Sequence, residues 1–166
     1  MENLNTNSMA IEEFKKHIQE IIAEAQRLCA AKTHEGGAPV NYACIFSQSI
    51  GEYQESVGLA CRLGAVVQDT KMGPVFHITP IATAAGDLEL LKIRRPDPKR
   101  EEMGDADFTL SDYESFKKKY LGKPGFRLIK RPDMEMIELM DSSYDAVAYF
   151  SHPTLATVLK INQKSK

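Results

Sequence analysis

Apolar residues recur at Ile11, Phe14, Ile18, Ile21, Ile22, Ala25 and Leu28, while Glu12, Glu13, Lys15 and Lys16 fall mostly on the other side. Steps of three and four place the apolar set on one face, so the spacing predicts an amphipathic helix over residues 9–31. His17 lies at the edge of that face and reads as a packing residue. His34-Glu35-Gly36-Gly37-Ala38-Pro39 then reads as a loop by its Gly and Pro content, with His34 exposed in it. The period changes at Asn41-Tyr42-Ala43-Cys44-Ile45-Phe46, a β-prone mixture that suits a strand. From Ile50 a helical pattern returns, burying Tyr53, Val57, Ala60 and Leu63 and stopping at Gly64. Residues 65–68, 74–78 and 88–95 read as strands divided by Lys71-Met72-Gly73 and Ala84-Ala85-Gly86.

The same order then recurs in tighter form. Residues 105–110 predict a strand and 112–121 a helix. After a Gly122-Lys123-Pro124-Gly125 break, strands follow at 126–130, 134–139 and 146–150. Both helices open with Ser-x-x-Glu, at Ser49-Ile50-Gly51-Glu52 and Ser111-Asp112-Tyr113-Glu114, the pattern of a capping box. The expected fold class is α+β: two consecutive βαβββ modules at 41–95 and 105–150, a helical extension at 1–40 and a tail at 151–166, together one globular domain. Small modules that cannot each bury an apolar face pack together, which makes the trough between them the natural place for a site. A ferredoxin-like sandwich, in which the repeats share no trough, is the structural alternative.

A chain of 166 residues with 43% hydrophobic and 27% charged content can bury a core without disulfides or metal. Cys29, Cys44 and Cys61 are odd in number and fall within predicted helices or strands, so they read as reduced thiols. No apolar run approaches a membrane span and the polar start is unlike a signal peptide, which predicts a cytoplasmic protein. Charge is uneven: Lys and Arg number six against eleven acidic residues over 1–91, but twelve against seven over 92–131. Such a band can attract anions. It does not read as a nucleic-acid surface, because Lys117-Lys118-Lys119 splay around a helical turn and no RNA or DNA motif accompanies them. Phosphate-loop, dinucleotide and nucleophile-elbow patterns are also missing from the sequence.

Two consecutive βαβββ modules resemble the vicinal oxygen chelate superfamily of glyoxalase I, extradiol dioxygenases and bleomycin-resistance proteins. The stretches Asn41-Tyr42-Ala43, Gly73-Pro74-Val75-Phe76, Leu91-Lys92-Ile93-Arg94-Arg95-Pro96 and Gly104-Asp105-Ala106-Asp107-Phe108 look like its YecM-like branch, which also has a helical N-terminal extension. The resemblance implies a curved mixed sheet whose concave side carries metal ligands on the first and last strands of each module. Where the family pattern has a His near the start of each first strand, this chain offers Asn41 and Asp107. The first-module carboxylate falls near Lys92 or Arg94. Cationic side chains cannot replace an anionic ligand, so no cofactor is expected and a divalent metal is disfavoured. Superfamily members often pair modules between chains, so the resemblance extends to a homodimer.

Alternation puts Asp105, Asp107 and Thr109 on one strand face, and Leu90, Lys92 and Arg94 on one face of the preceding strand. If the modules close as the resemblance implies, Asp107 meets Lys92 or Arg94 inside the trough, as an orienting pair or as an internal salt bridge. His77 shares a face with Val75 and is a candidate proton-transfer group. Glu135 and Glu138 point to opposite faces; Glu135, with Ile137 and Leu139, is the candidate trough carboxylate, and Tyr149 a candidate hydroxyl there. The expected catalytic residues are therefore His77 and Asp107, and the expected ligand-binding residues Asn41, Lys92, Arg94, Glu135 and Tyr149. The expected function is binding of a small polar or anionic metabolite; whether the ligand is turned over is left open, and lyase- or isomerase-type proton transfer is the reaction expected if it is. The alternative is a non-catalytic ligand-binding or protein-interaction module that has lost the metal.

Overall fold

The computed structural model describes residues 4–161. Residues 1–3 and 162–166, part of the polar start and of the Lys-rich end, lie outside them. The order is α1 (Leu4–Lys32), then β1 (Val40–Phe46), α2 (Ile50–Leu63), β2 (Gly64–Thr70), β3 (Gly73–Thr83) and β4 (Gly86–Arg94). The second module follows as β5 (Gly104–Phe108), α3 (Tyr113–Tyr120), β6 (Phe126–Lys130), β7 (Glu135–Leu139) and β8 (Ala146–His152), with a short α4 (Leu155–Val158) behind it.

Local chemistry accounts for the helix starts. Ser49 caps α2 by accepting from the Glu52 amide at 3.1 Å, and Glu52 reaches back to accept from the Gln48 amide at 3.1 Å. In the second module the cap lies one residue later than Ser111: Asp112 accepts from the Ser115 amide at 3.0 Å and from its hydroxyl at 2.8 Å. A carboxylate at the N-terminus also meets the positive end of the helix dipole, which favours Asp112 over its neighbour. Helix α2 does stop at Gly64, but in extended backbone rather than the left-handed conformation of a glycine cap. A Cβ there would overlap the His77 carbonyl of the paired strand, so glycine is required by space.

All eight strands form one open, curved mixed sheet in the order β2-β3-β4-β1-β5-β8-β7-β6. Each module contributes four neighbouring strands, and each first strand pairs parallel with its own module's last: β1 with β4, β5 with β8. The modules meet where β1 and β5 run antiparallel, with Cys44 opposite Asp105 and Tyr42 opposite Asp107. Equivalent strands thus take mirrored places in the strand order on either side of the β1–β5 seam.

The two sheet faces differ in chemistry. One is covered by α1, α2 and α3 through a continuous core that includes Ile18, Ile22, Phe76, Leu91, Phe108, Phe116, Ile137 and Phe150. Burial of this apolar surface is the main favourable term in folding. The other face carries a small cluster of Cys44, Phe46, Val147 and Tyr149, with Ile129 and Met136 beside it. Between the modules, Gln48 Nε2 donates to the Phe46, Arg100 and Glu102 carbonyls at 2.9, 3.4 and 3.1 Å. These bonds fix the linker to the end of β1. Among the described residues no helix is long and apolar enough to cross a membrane.

Candidate functional site

Two registered rows of side chains make the floor of the concave face. The first runs Val75, Lys92, Cys44, Asp105 and Val147 across β3, β4, β1, β5 and β8. Across β1, β5, β8 and β7 the second runs Tyr42, Asp107, Tyr149 and Glu138. Above them lies a cavity of ≈ 300 Å³, with Arg94 and Ser151 also in its wall. Its mouth is formed by Gln68 and Met72 from the β2–β3 hairpin, Arg131, Asp133 and Met134 from the β6–β7 turn, and Leu155 and Val158 from α4. The last strand therefore delivers both a floor residue, Tyr149, and the helical turn that covers the site.

Asp107 is buried and both of its oxygens accept from protein donors. Its Oδ1 accepts from Asn41 Nδ2 and from the Ser151 amide, each at 3.1 Å, and its Oδ2 accepts from the Ser151 hydroxyl. Burial raises its pKa to about 6, opposed by the bonds from Ser151 and Asn41. A register shift in β1 between Val40 and Tyr42 lets Asn41 and Tyr42 share the segment opposite Asp107, which brings the Asn41 amide to the carboxylate.

Asp105 is the opposite case. It is 7% exposed, lines the cavity, and its Oδ1 is buried without a hydrogen-bond partner among the described residues. Burial first, and the neighbouring Asp107 charge second, raise its pKa to about 8, against the pull of Lys92, Arg94 and Arg100. A carboxyl held near neutrality inside a cavity is the condition for general acid or base work. Lys92, one strand beyond Cys44 in the same row, also lines the cavity and forms no ion pair within 4.0 Å among the described residues. Burial keeps the intervening Cys44 thiol protonated, well above its usual range, so it is a poor nucleophile.

Several sequence expectations are redirected. Asp107 is held by Asn41 and Ser151 rather than by Lys92 or Arg94; Arg94 pairs with Asp97 at 3.0 Å and lies over the Phe46 ring at 5.3 Å. Asp105 is the carboxyl in register with Lys92, because β1 intervenes and sets the alignment. Glu135 faces the helices, accepting from Tyr113 Oη at 2.7 Å and Lys117 Nζ at 2.8 Å. Its face-mates Ile137 and Leu139 are core residues under those helices, so the concave carboxylate of β7 is Glu138. Glu138 accepts from Tyr149 Oη at 2.7 Å and from Arg100 Nη2 at 3.2 Å, and pairs with Arg127 Nη2 at 3.2 Å. His77 registers with Leu90, stands 3.9 Å from Glu89 with its side chain 38% exposed, and does not line the cavity. Lys92, Arg94, Asp107 and Tyr149 do converge on it, and Asn41 reaches it through Asp107.

The donors at the positions where the resemblance implies a metal do not suit one. Both Asp107 oxygens are engaged by protein donors, Lys92 adds a cation, and no group of three His, Cys, Asp or Glu side chains converges among the described residues.

No protein-family model matches the sequence, and no curated protein matches it either. Among solved structures, one described as "Structural Genomics, Protein EC4020" is similar with a TM-score of 0.68, covering 93% of this chain and 93% of that chain at 11% identity. At that identity the likeness concerns the fold alone.

Proposed function

We propose that the concave trough binds a small polar or anionic metabolite, as a glyoxalase-like protein of the vicinal oxygen chelate type, and exchanges a proton with it through Asp105. The observation that carries this reading is Asp105 itself: a buried carboxyl with an unsatisfied oxygen, in a cavity that also holds an unpaired lysine. Leaving a buried acceptor unmade costs free energy, and a ligand donor or a proton would recover it. The cavity volume, ≈ 300 Å³, is at the lower end for small-molecule sites and suits a metabolite rather than a polymer. In this reading the proton moves between Asp105 and an acidic C–H of the ligand, and Lys92 balances the charge left on the ligand. Asp107 stays a structural carboxylate, bound as it is to Asn41 and Ser151.

The test is a screen of small acids, amines, polyols and ketones by ligand-observed NMR, followed by incubation of each binder in D2O. Binders that lose affinity in Lys92→Met, together with deuterium entering one carbon of a binder in wild type but not in Asp105→Asn, are the expected result. Binding without exchange would leave a non-catalytic binding module. A screen in which no compound of any class binds the trough would overturn the proposal. The reading needs no metal, so dialysis against a chelator should leave binding unchanged; one transition-metal ion per chain surviving that step would contradict it.

A further inference from the structure

The cavity has charged groups on its floor and a mixed mouth, where an apolar arc stands beside Gln68, Arg131 and Asp133. Lys92 and Asp105 stand on its floor in one row, whereas Met72, Met134, Leu155 and Val158 form the arc. Tyr149 donates its hydroxyl hydrogen to Glu138 and Ser151 donates its own to Asp107, so both hydroxyl oxygens remain as acceptors only. An oxyanion laid against those two oxygens would find lone pairs and no donor. The free cation of the floor is the Lys92 ammonium; Tyr42 adds a hydroxyl with no hydrogen-bond partner among the described residues, and in the wall Arg94 Nε is buried without one. A ligand that fits must therefore place its anionic group at the Lys92–Asp105 end and an apolar body under the methionines and α4.

Resting on the reading above, we infer that the ligand is an amphipathic monocarboxylate, its carboxylate paired with Lys92 and its hydrocarbon part between Met72, Met134, Leu155 and Val158. The alternatives fit less well. A dianion would need a second cation, but Arg94 is already paired with Asp97 at 3.0 Å and the floor also holds the Asp107 carboxylate. A cationic ligand would meet the Lys92 ammonium. A polyol would leave Met72, Met134, Leu155 and Val158 in contact with hydroxyls. Methionine at two of the mouth positions also suits an apolar body of irregular shape, because its unbranched side chain adapts to what it touches.

The experiment is isothermal titration calorimetry of the full chain at pH 7 with 4-methylpentanoate and 3-phenylpropanoate, each beside its primary amide, its amine analogue and acetate. The acids should bind at least tenfold more tightly than the amides and amines, and acetate should bind weakly for want of an apolar body. Lys92→Met should lose at least tenfold for the acids while leaving the amides unchanged, and Leu155→Ser should weaken the acids without altering the preference for acid over amide. Both positions are at the cavity surface, and a thermal melt of each variant verifies that it is folded. Equal affinity for acid and amide, a preference for the amine, or unchanged acid binding in Lys92→Met would overturn the assignment. If the acids fail but polyols or amines from the broader screen bind the trough, the head-group assignment is wrong and the trough reading survives. Failure of every class removes both.

Discussion

The Tyr149 hydroxyl donates to Glu138 Oε2 at 2.7 Å between residues that face each other in register across β7 and β8. The Glu138 side chain is 4% exposed and shares its carboxylate with Arg100, itself 17% exposed. Glu138→Gln keeps the volume but removes the nearer of the two carboxylates that pair with Arg100, leaving Glu102 at 3.9 Å. The loss should be about 3 kcal/mol, near the lower end for breaking a buried pair, because Arg127 lies mostly in solvent and contributes little. Tyr149→Phe deletes one charge-assisted bond and should cost about 1.5–3 kcal/mol. Urea unfolding of both variants checks the order; Glu138→Gln as stable as wild type would show that the network carries no stability.

Asp105 makes stability depend on pH in a defined direction. Its folded pKa is raised from 3.8 to about 8, so between those values the native state holds a proton that the unfolded state has released. Stability from this group is then complete below pH 3.8 and lost as pH rises through about 8. Asp105→Asn removes the ionisation, so the variant should overtake wild type at pH 9 by roughly 1–3 kcal/mol, which is several degrees in Tm. The difference between the two proteins should shrink toward pH 5. Parallel Tm profiles across pH 5–9 would mean that Asp105 titrates normally.

How much of this was legible in the chain depends on which question is asked of alternation. Spacing identified the elements and the repeat because amphipathic periods, the Ser49 cap and the break at Gly122 to Gly125 are local signals. Alternation also identified which residues share a face: Glu135 with Ile137 and Leu139, Asp105 with Asp107. It does not say which face is concave. Alternation alone leaves Glu135 as a trough candidate, yet its companions belong to the larger core, and the helices that cover them come from distant parts of the chain. The Lys92–Asp105 alignment was hidden for another reason, since it passes through β1 and depends on two strand registers at once. A signal for Asp105 did exist: a second acidic residue two positions before Asp107 in a buried central strand lacks an obvious partner. The Asn41 contact depends on a register shift that no composition announces.

The seam between modules should be sensitive to a single methyl group. A Cβ at Gly104 would overlap the Cys44 carbonyl oxygen and approach Ile21 Cδ1 at 3.1 Å, so Gly104→Ala forces β1 and β5 apart. The expected loss is about 1–3 kcal/mol or more. Gly37→Ala is the control: an added Cβ there meets nothing within 4 Å, and the substitution should be neutral or slightly stabilising. Thermal melts of the two variants side by side decide it, and equal Tm values would mean that the β1–β5 seam yields without cost.

Asp107 and Asp105 lie two residues apart on one face, yet hydrogen bonding separates their chemistry. Both are buried, but Asp107 receives two bonds from Ser151 and one from Asn41, and its pKa rises only to about 6. Ser151→Ala removes the hydroxyl bond, the larger of the two Ser151 contributions, and leaves the backbone one. The Asp107 titration should therefore move upward from about 6 toward that of Asp105, because less remains to oppose burial. Two charges that share a face are coupled, so a more protonated Asp107 should in turn lower the Asp105 midpoint from about 8. Carboxyl carbon-13 NMR of the wild type and Ser151→Ala, each assigned with the matching Asp→Asn variant, follows both groups. An Asp107 midpoint unmoved by Ser151→Ala would show that the hydroxyl does not hold its charge. An Asp105 midpoint unmoved while Asp107 shifts would show that the two carboxyls titrate independently.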